Sequence, residues 1–310
     1  MPSMKAIKRR RLTVKNIQQI TKAMNLVATS KLQRARTTLA NVAKPAKATF
    51  DIAYNTLSNE DAREMPFVAH RDEVKKVAYV LITSNRGLCG GYNSQVCKEL
   101  ARYAKEKGKD FVIVPIGTKG RDYYRRRNGN LVEMPSSSGL VTFEEAANLS
   151  KLIVEMYDKG EVDEVYVVYT KFISVLNQEP VVKPVLPVSP DFLRRVIGED
   201  IKDGETWEDL GFFKKPEASE KSGTRIEVEY EPGLEEVLKS VIPWYLNMYM
   251  YSALASSNLC EEAARMTSMD SATSNAGDII EKLTLMFNRQ RQSIITQEIT
   301  EIVSGANALQ

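Results

Sequence analysis

The stretch VKNIQQITKAMNLVATSKLQRARTTLANVAKPAKATFDIAYNTL, Val14 to Leu57, decides how the chain is organised. Within it Val14, Ile17, Ile20, Met24, Ala28, Leu32, Ala35, Leu39, Val42, Ala46, Phe50, Ala53 and Leu57 follow one another by three or four residues. That spacing keeps one apolar stripe on one helix face. It persists over about six heptad-like repeats, which points to a coiled coil rather than a short globular helix. Pro45 lies inside the stripe. An interior proline removes a backbone bond and costs roughly 3 kcal/mol, so the pattern predicts a kink or a break there.

The other end of the chain reads the same way. Gly233 to Val303 is helical in pattern, with Pro243 in its early turns, and Gly277 is the only glycine between Pro243 and Gly305. From Trp244 to Ser304 a continuous helix would span roughly 90 Å at about 1.5 Å per residue. Leu254, Leu259, Ala263, Met266, Met269, Thr273, Ala276, Ile280, Leu283, Phe287, Ile294, Ile302 and Leu309 supply a seam. Met266 to Gly277 is mostly Ser, Thr, Ala and Asn, a slender stretch that suits a wet or narrow space.

Between the ends the period changes. Val77–Thr83, Phe111–Ile116 and Glu164–Thr170 are β-rich runs, and Leu131–Met134 is a short candidate strand. Ser94–Lys107, Thr118–Arg127 and Phe143–Asp158 are helical in pattern. Strands alternating with helices of this length predict a mostly parallel α/β sheet. Val181–Val188 adds a last strand, and Pro184 and Pro187 push it to an edge. Ser189–Thr224, with Pro190, Gly198, Gly204, Gly211, Pro216 and Gly223, reads as a surface insertion carrying one short helix. The expected fold is α/β plus a long coiled coil: N- and C-terminal helices form an antiparallel coiled coil flanking a Rossmann-like α/β domain. The expected divisions are residues 1–60 and 230–310 for the helices, 75–190 for the α/β domain and 190–225 for the insertion. The last helix outruns the first, so its tip should extend alone.

Charge is distributed unevenly. The net charge is +3, yet Met1 to Phe50 carries twelve bases and no acid, whereas Glu231 to Gln310 carries ten acids and five bases. A basic first helix against an acidic last helix is one use of that asymmetry. An acidic partner or a nucleic-acid backbone is another. Hydrophobic residues are 43% and charged residues 27%, which excludes wholesale disorder. No run of about 18 apolar residues predicts a transmembrane helix. The charged N-terminus lacks the apolar region of a secretory signal. Cys89, Cys97 and Cys260 form no CxxC pair, and His70 is the single histidine, so a zinc centre or a histidine-activated nucleophile is not expected.

TSNRGLCGGYN, Thr83 to Asn93, follows a strand and precedes a helix, where α/β proteins cradle phosphates. It matches neither GxGxxG nor GxxxxGK[ST]. A tight turn that needs positive φ is the alternative, with Cys89 as a small buried hydrophobe. Tyr245, Tyr249 and Tyr251, with Met248 and Met250, read as core packing rather than a cofactor pocket. Glu261 and Glu262 are adjacent and do not share a helix face, so they make a poor acid/base pair. His70 is read as an exposed loop residue.

IQQITKAM (Ile17–Met24) continuing as VATSK (Val27–Lys31), and ARMTSMDSATSNAG (Ala264–Gly277), strongly resemble the terminal helices of the gamma subunits of F-type ATP synthases. FNRQRQ (Phe287–Gln292) and ITQEITEIVSGA (Ile295–Ala306) are the most specific part, and GLCGG (Gly87–Gly91) is similar to that family's turn after its first strand. The resemblance covers the chain apart from Ser189–Thr224. It implies a rotor shaft enclosed by a ring of alternating alpha and beta subunits. It further implies an α/β foot beside the epsilon subunit and the membrane c ring, and no bound nucleotide, cofactor or catalytic residue. Such a shaft should expose few large apolar residues in its upper part.

The same resemblance assigns residues. Met24, with Lys22 and Asn25, should face a beta-subunit lever. Arg291, Gln292, Thr296 and Glu298 should make the catch contacts with the ring, and Arg9, Arg10 and Arg11 would touch it too. Tyr230 and Glu231 should lie on the c-ring and epsilon side. The insertion holds no cysteine pair, so redox gating is not expected and the cytoplasmic face of a bacterial membrane is the expected location. Two other readings stand beside it: a nucleotide-binding α/β enzyme with helical arms, and a basic coiled coil that binds nucleic acid. The second conflicts with the apolar residues interleaved among the bases and with the lack of base-stacking aromatics.

Overall fold

The computed structural model describes residues 3–57, 62, 67, 68, 71, 73–132, 141–188, 193, 230, 231 and 233–307. His70, Met134 and the Ser189–Thr224 insertion, except Leu193, lie outside them. The elements in order are α1 (Met4–Leu57), β1 (Lys76–Ile82), α2 (Tyr92–Lys107), β2 (Asp110–Ile116), α3 (Thr118–Arg125), α4 (Phe143–Asp158), β3 (Glu164–Phe172), β4 (Gln178–Leu186) and α5 (Leu234–Asn307). The chain divides into two compact units, Met1–Ser30 with Arg265–Gln310, and Lys31–Ala264.

In the larger unit the sheet order is β2-β1-β3-β4. β1 pairs in parallel with β2 and β3, and β4 runs antiparallel to β3 at the edge. Pro180 and Pro184 share the parity of β4. They cannot donate to β3, so they belong on the outward row, where they blunt the edge against further pairing. The expected short strand at Leu131 is a single parallel bridge to Ile113.

Alternation along the strands sorts the core into two layers. Val77, Tyr79 and Leu81 face Val96, Cys97, Leu100 and Tyr124 of α2 and α3. Ala78, Val80 and Ile82 face the other way, into a cluster with Leu149 and Ile153 of α4, Phe50 and Ala53 of α1, and Tyr245, Leu246 and Tyr249 of α5. The Tyr245 and Met248–Met250 stretch is therefore core, and Tyr251 is half-buried against Phe143. Beyond Tyr245, α5 is buried on nearly every side. Ser252, Ser256 and Ser257 let it approach closely. Ser256 Oγ accepts from the Phe172 amide and donates to the Thr170 carbonyl, and Tyr92 Oη meets Ser257 Oγ at 2.6 Å.

α1 runs through Pro45, and α5 through Pro243, without a break. The bond each proline removes belongs to a carbonyl four residues earlier, on Asn41 and Lys239. Both prolines and both of those residues are exposed, so the freed carbonyls lie on faces open to solvent. α2 begins at Tyr92, two residues before the expected start, and α3 ends two residues early, at Arg125.

Asp163 ties the start of β1 to the start of β3. Its carboxylate accepts from the Lys75 and Lys76 amides at 2.8 and 3.0 Å and from Arg71 Nη1 at 2.7 Å. Partial burial alone would raise its pKa, but the two amides and the guanidinium outweigh it and hold the carboxyl below the usual range. A depressed folded pKa stabilises above the unfolded value of about 3.9 and is lost as pH falls through the folded one. Asp163→Asn is accordingly expected to lower the urea midpoint at pH 7 and to lower it less at pH 3. An equal drop at both pH values would contradict the assignment.

Candidate partner-binding surface on the terminal helices

The smaller unit pairs the first part of α1 with the last part of α5, antiparallel. Its buried seam is thin: Ile7, Thr21 and Ala28 from α1, with Arg265, Met269, Ala276 and Leu283 from α5. The middle of that seam is polar. Asn25 Nδ2 donates to the Met266 carbonyl at 3.1 Å, Gln18 Nε2 reaches the Thr273 carbonyl at 3.4 Å, and the Thr21 and Thr273 hydroxyls meet at 2.8 Å. Further along, the Arg11 guanidinium stacks 5.3 Å from the Phe287 ring centre.

Two members of the expected stripe turn outward here. Ile17 is 49% exposed and Ile20 59%, while Gln18, Thr21 and Asn25 take the inner face. Leu12, Leu26 and Val27 are exposed as well, and so are Ile279, Leu285, Met286, Ile295, Ile299, Ile302 and Val303 of α5. The expectation of few exposed apolar residues holds between Met266 and Gly277 and fails elsewhere in this unit. The physical reason is geometric: two paired helices cover only one narrow face of each other. Large apolar side chains outside that face remain wet until another surface covers them, which marks an interaction surface.

The pairing register also accounts for the tip. Arg11 lies opposite Phe287, so Met4 reaches about as far as Ile294. From Ile295 to Asn307 α5 has no length of α1 beside it, and every residue from Ile295 to Ser304 is exposed.

The expected contact residues fall into separate groups. Lys22 is exposed, and Met24 is half-buried. Asn25 is half-buried with its amide committed to Met266. Arg291, Gln292, Thr296 and Glu298 are exposed on α5, and Thr296 Oγ1 donates to the Gln292 carbonyl at 2.9 Å. Arg291 is about 20 residues, or roughly 30 Å, along α5 from the level of Lys22–Asn25. Tyr230 and Glu231 belong to the larger unit, where Tyr230 Oη donates to the Asn55 carbonyl at 3.5 Å. Arg9 and Arg10 are exposed. Sequence reasoning missed Gln18 and Thr21 as seam residues, and Leu12, Leu26 and Val27 as surface. Leu26 and Val27 sit off the three-four spacing, which was the available signal.

The Thr83–Asn93 turn spends its acceptors on the start of α3. The first amides of α3, on Thr118, Lys119 and Gly120, go to Asn85 Oδ1, the Ser84 carbonyl and Thr83 Oγ1. The Ser84 amide goes to Asn93 Oδ1. Leu88 and Gly90 adopt φ of 64° and 55°, so the run is a tight turn folded on itself. Cys89 is buried, with Asn93 Nδ2 donating to its sulfur at 3.1 Å. This favours the turn reading over a phosphate cradle. No helix among the described residues is long and apolar enough to cross a membrane.

A sequence model of the ATP synthase family matches residues 3–309. The ATP synthase gamma chain of Pelotomaculum thermopropionicum is 35% identical over 311 residues, covering 100% of both chains. That of Alkaliphilus metalliredigens is 39% identical over 308 residues, covering 99% of this chain and 98% of the other. This chain belongs to the ATP synthase gamma family. Two solved structures share its fold. A chain of the Tetrahymena thermophila mitochondrial ATP synthase central stalk and c ring superposes with a TM-score of 0.56 at 24% identity, covering 82% of this chain and 99% of that one. A chain of the Euglena gracilis mitochondrial ATP synthase superposes with a TM-score of 0.60 at 18% identity, covering 99% and 94%. The gamma family thus accounts for two long terminal helices and a central α/β sheet, and the nucleotide-enzyme and nucleic-acid readings are not favoured.

Proposed function

We propose that this gamma-family chain is the rotating central shaft of an F-type ATP synthase. It turns inside a ring of alternating alpha and beta subunits and couples ion flow through a membrane c ring to ATP synthesis or hydrolysis. The observation that carries this reading is the smaller unit, whose thin polar seam leaves large apolar and basic side chains exposed on both helices. A surface of that kind needs an enclosing partner. The bases of α1 suit acidic lever segments of beta subunits. The chain contributes no catalytic residue or cofactor of its own, and nucleotide chemistry belongs to the ring.

The division of labour follows the chain. Residues 1–60 and 230–310 form the shaft and 75–190 the foot, with 190–225 as an insertion of the foot. Lys22, Met24 and Asn25 face a beta lever. Arg291, Gln292, Thr296 and Glu298 catch the ring. Tyr230 and Glu231 serve the c-ring and epsilon side, and the complex sits on the cytoplasmic face of a bacterial membrane. Arg291→Ala is expected to lower ATP synthesis driven by an ion gradient while leaving the fold intact, because Arg291 is exposed. Unchanged synthesis would remove Arg291 from the contact set.

The test is reconstitution with alpha and beta subunits, read by native mass spectrometry and ATPase activity. One copy of this chain per three alpha and three beta subunits, with raised activity, is the expected result. A chain that stays alone and leaves activity unchanged contradicts the reading.

A further inference from the structure

The seam between the two helices of the smaller unit is polar where an ordinary coiled coil would be apolar, and its contacts are specific in level. Thr273 Oγ1 donates to Thr21 Oγ1 at 2.8 Å, and Thr21 passes its own proton to the Gln18 carbonyl at 3.1 Å. The reverse order, with Thr273 donating to the Met269 carbonyl at 2.8 Å, satisfies both hydroxyls equally. Asn25 spends an amide proton on the Met266 carbonyl. A side chain on Gly277 would begin 3.3 Å from Gln18 Nε2, so the glycine leaves the room that Gln18 occupies.

The apolar part of this seam does not define a level. Ala28, Met269 and Ala276 are small or adaptable, and Ile7 and Leu283, toward the far end of the seam, are the only large aliphatic residues buried in it among the described residues, so the apolar contacts oppose a slide of one heptad weakly. The polar part does not tolerate it. A seven-residue slide sets Thr21 against Ile280 or Met266 and replaces Gly277 opposite Gln18 with Thr284 or Asp270. It also exchanges the Met266 carbonyl at Asn25 for that of Thr273 or Leu259. Polar residues at seam positions of coiled coils fix register and reduce stability in doing so.

We propose that Gln18, Thr21, Asn25, Thr273 and Gly277 form a register lock, which sets the axial alignment of the two helices and so positions the unpaired Ile295–Asn307 tip relative to the surface of α1. These are positioning residues. Gln18, Thr21, Thr273 and Gly277 touch one another and Asn25 holds the Met266 carbonyl, and together they act on the partner by holding Lys22 and Met24 at a fixed distance along the axis from Arg291 and Glu298. The functional half of the inference rests on the shaft reading; the register half does not.

The test uses the full chain with Thr21→Val, Thr273→Val and Asn25→Leu combined, and a second variant with Asn25→Leu alone. Spin labels are carried on unnatural residues at the exposed positions 8 and 293, which leaves the three buried cysteines untouched. The parent chain should give one narrow distance. The combined variant should melt at a higher temperature than the parent yet show a second, distinct distance population, produced by an axial slide of about 10 Å for seven residues. The single variant should show a smaller second population. One unchanged narrow distance in both variants overturns the lock. In the reconstituted complex, the Thr21→Val and Thr273→Val pair, which leaves the lever-facing Asn25 in place, should still bind the ring but lose gradient-driven ATP synthesis several-fold. Full synthesis from a chain with two registers overturns the positioning role and leaves the shaft reading standing. Failure of the parent chain to bind the ring at all contradicts the shaft reading and leaves the distance result intact.

Discussion

Phe50→Ala is expected to destabilise the larger unit by about 3–5 kcal/mol, the range for deleting a fully buried aromatic ring. Phe50 is 1% exposed and sits where α1, α5 and the sheet share one core. Its ring meets Tyr245 edge-on at 5.5 Å and Tyr249 at 6.3 Å. Truncation would leave a cavity between two tyrosine rings on α5, which is held from both sides and cannot collapse freely. Ile52, two residues away on the same helix, is 56% exposed. Ile52→Ala should therefore stay within about 0.5 kcal/mol. Urea unfolding of the two variants separates the cases. Equal midpoints would mean that the core is not where the structure places it.

Gly117→Ala is the second large effect. Gly117 joins β2 to α3 at φ 91°, ψ 145°, and a Cβ there would lie 2.1 Å from the Thr83 carbonyl oxygen and 2.7 Å from its carbon. The obstacle is backbone, and it is pinned: the Thr83 amide and hydroxyl both donate to the Ile116 carbonyl, at 2.8 and 3.0 Å. Relief requires breaking those bonds, so strain and overpacking together are expected to cost about 2–6 kcal/mol. Gly108 is the control. It has φ 60° but open space around its would-be Cβ, so Gly108→Ala carries the left-handed penalty alone, about 1–2 kcal/mol. If both glycines tolerate alanine equally, the close approach of Gly117 to Thr83 is wrong.

The elements of this fold are largely readable from residues alone. Val77–Thr83 and Glu164–Thr170 are β-branched runs, and each proved to be a buried central strand. The prolines of β4 place it at an edge, but its antiparallel direction depends on the short Ser174–Asn177 hairpin turn, which no strand pattern encodes. The two terminal helices are legible because their stripes run far beyond any ordinary helix. Which residues of the first stripe face inward is less so. Ile17 and Ile20 satisfy the three-four spacing as well as Thr21 does, and the choice between the two faces is made by carbonyls of α5. A polar seam is invisible until the partner helix is in place. Lys22, Met24 and Arg291 are proposed from a resemblance rather than from spacing, because a contact with another chain leaves no mark on the periodicity of a helix.

The central claim is that this chain turns within its ring, and single-molecule rotation tests it most directly. The chain is reconstituted with surface-anchored alpha and beta subunits, and a bead is fixed through a label at exposed Lys109 in the α/β domain. With ATP added, the bead should turn in one direction, in three equal steps per revolution. A bead that stays fixed, or that only fluctuates in both directions, while the complex hydrolyses ATP would contradict the account.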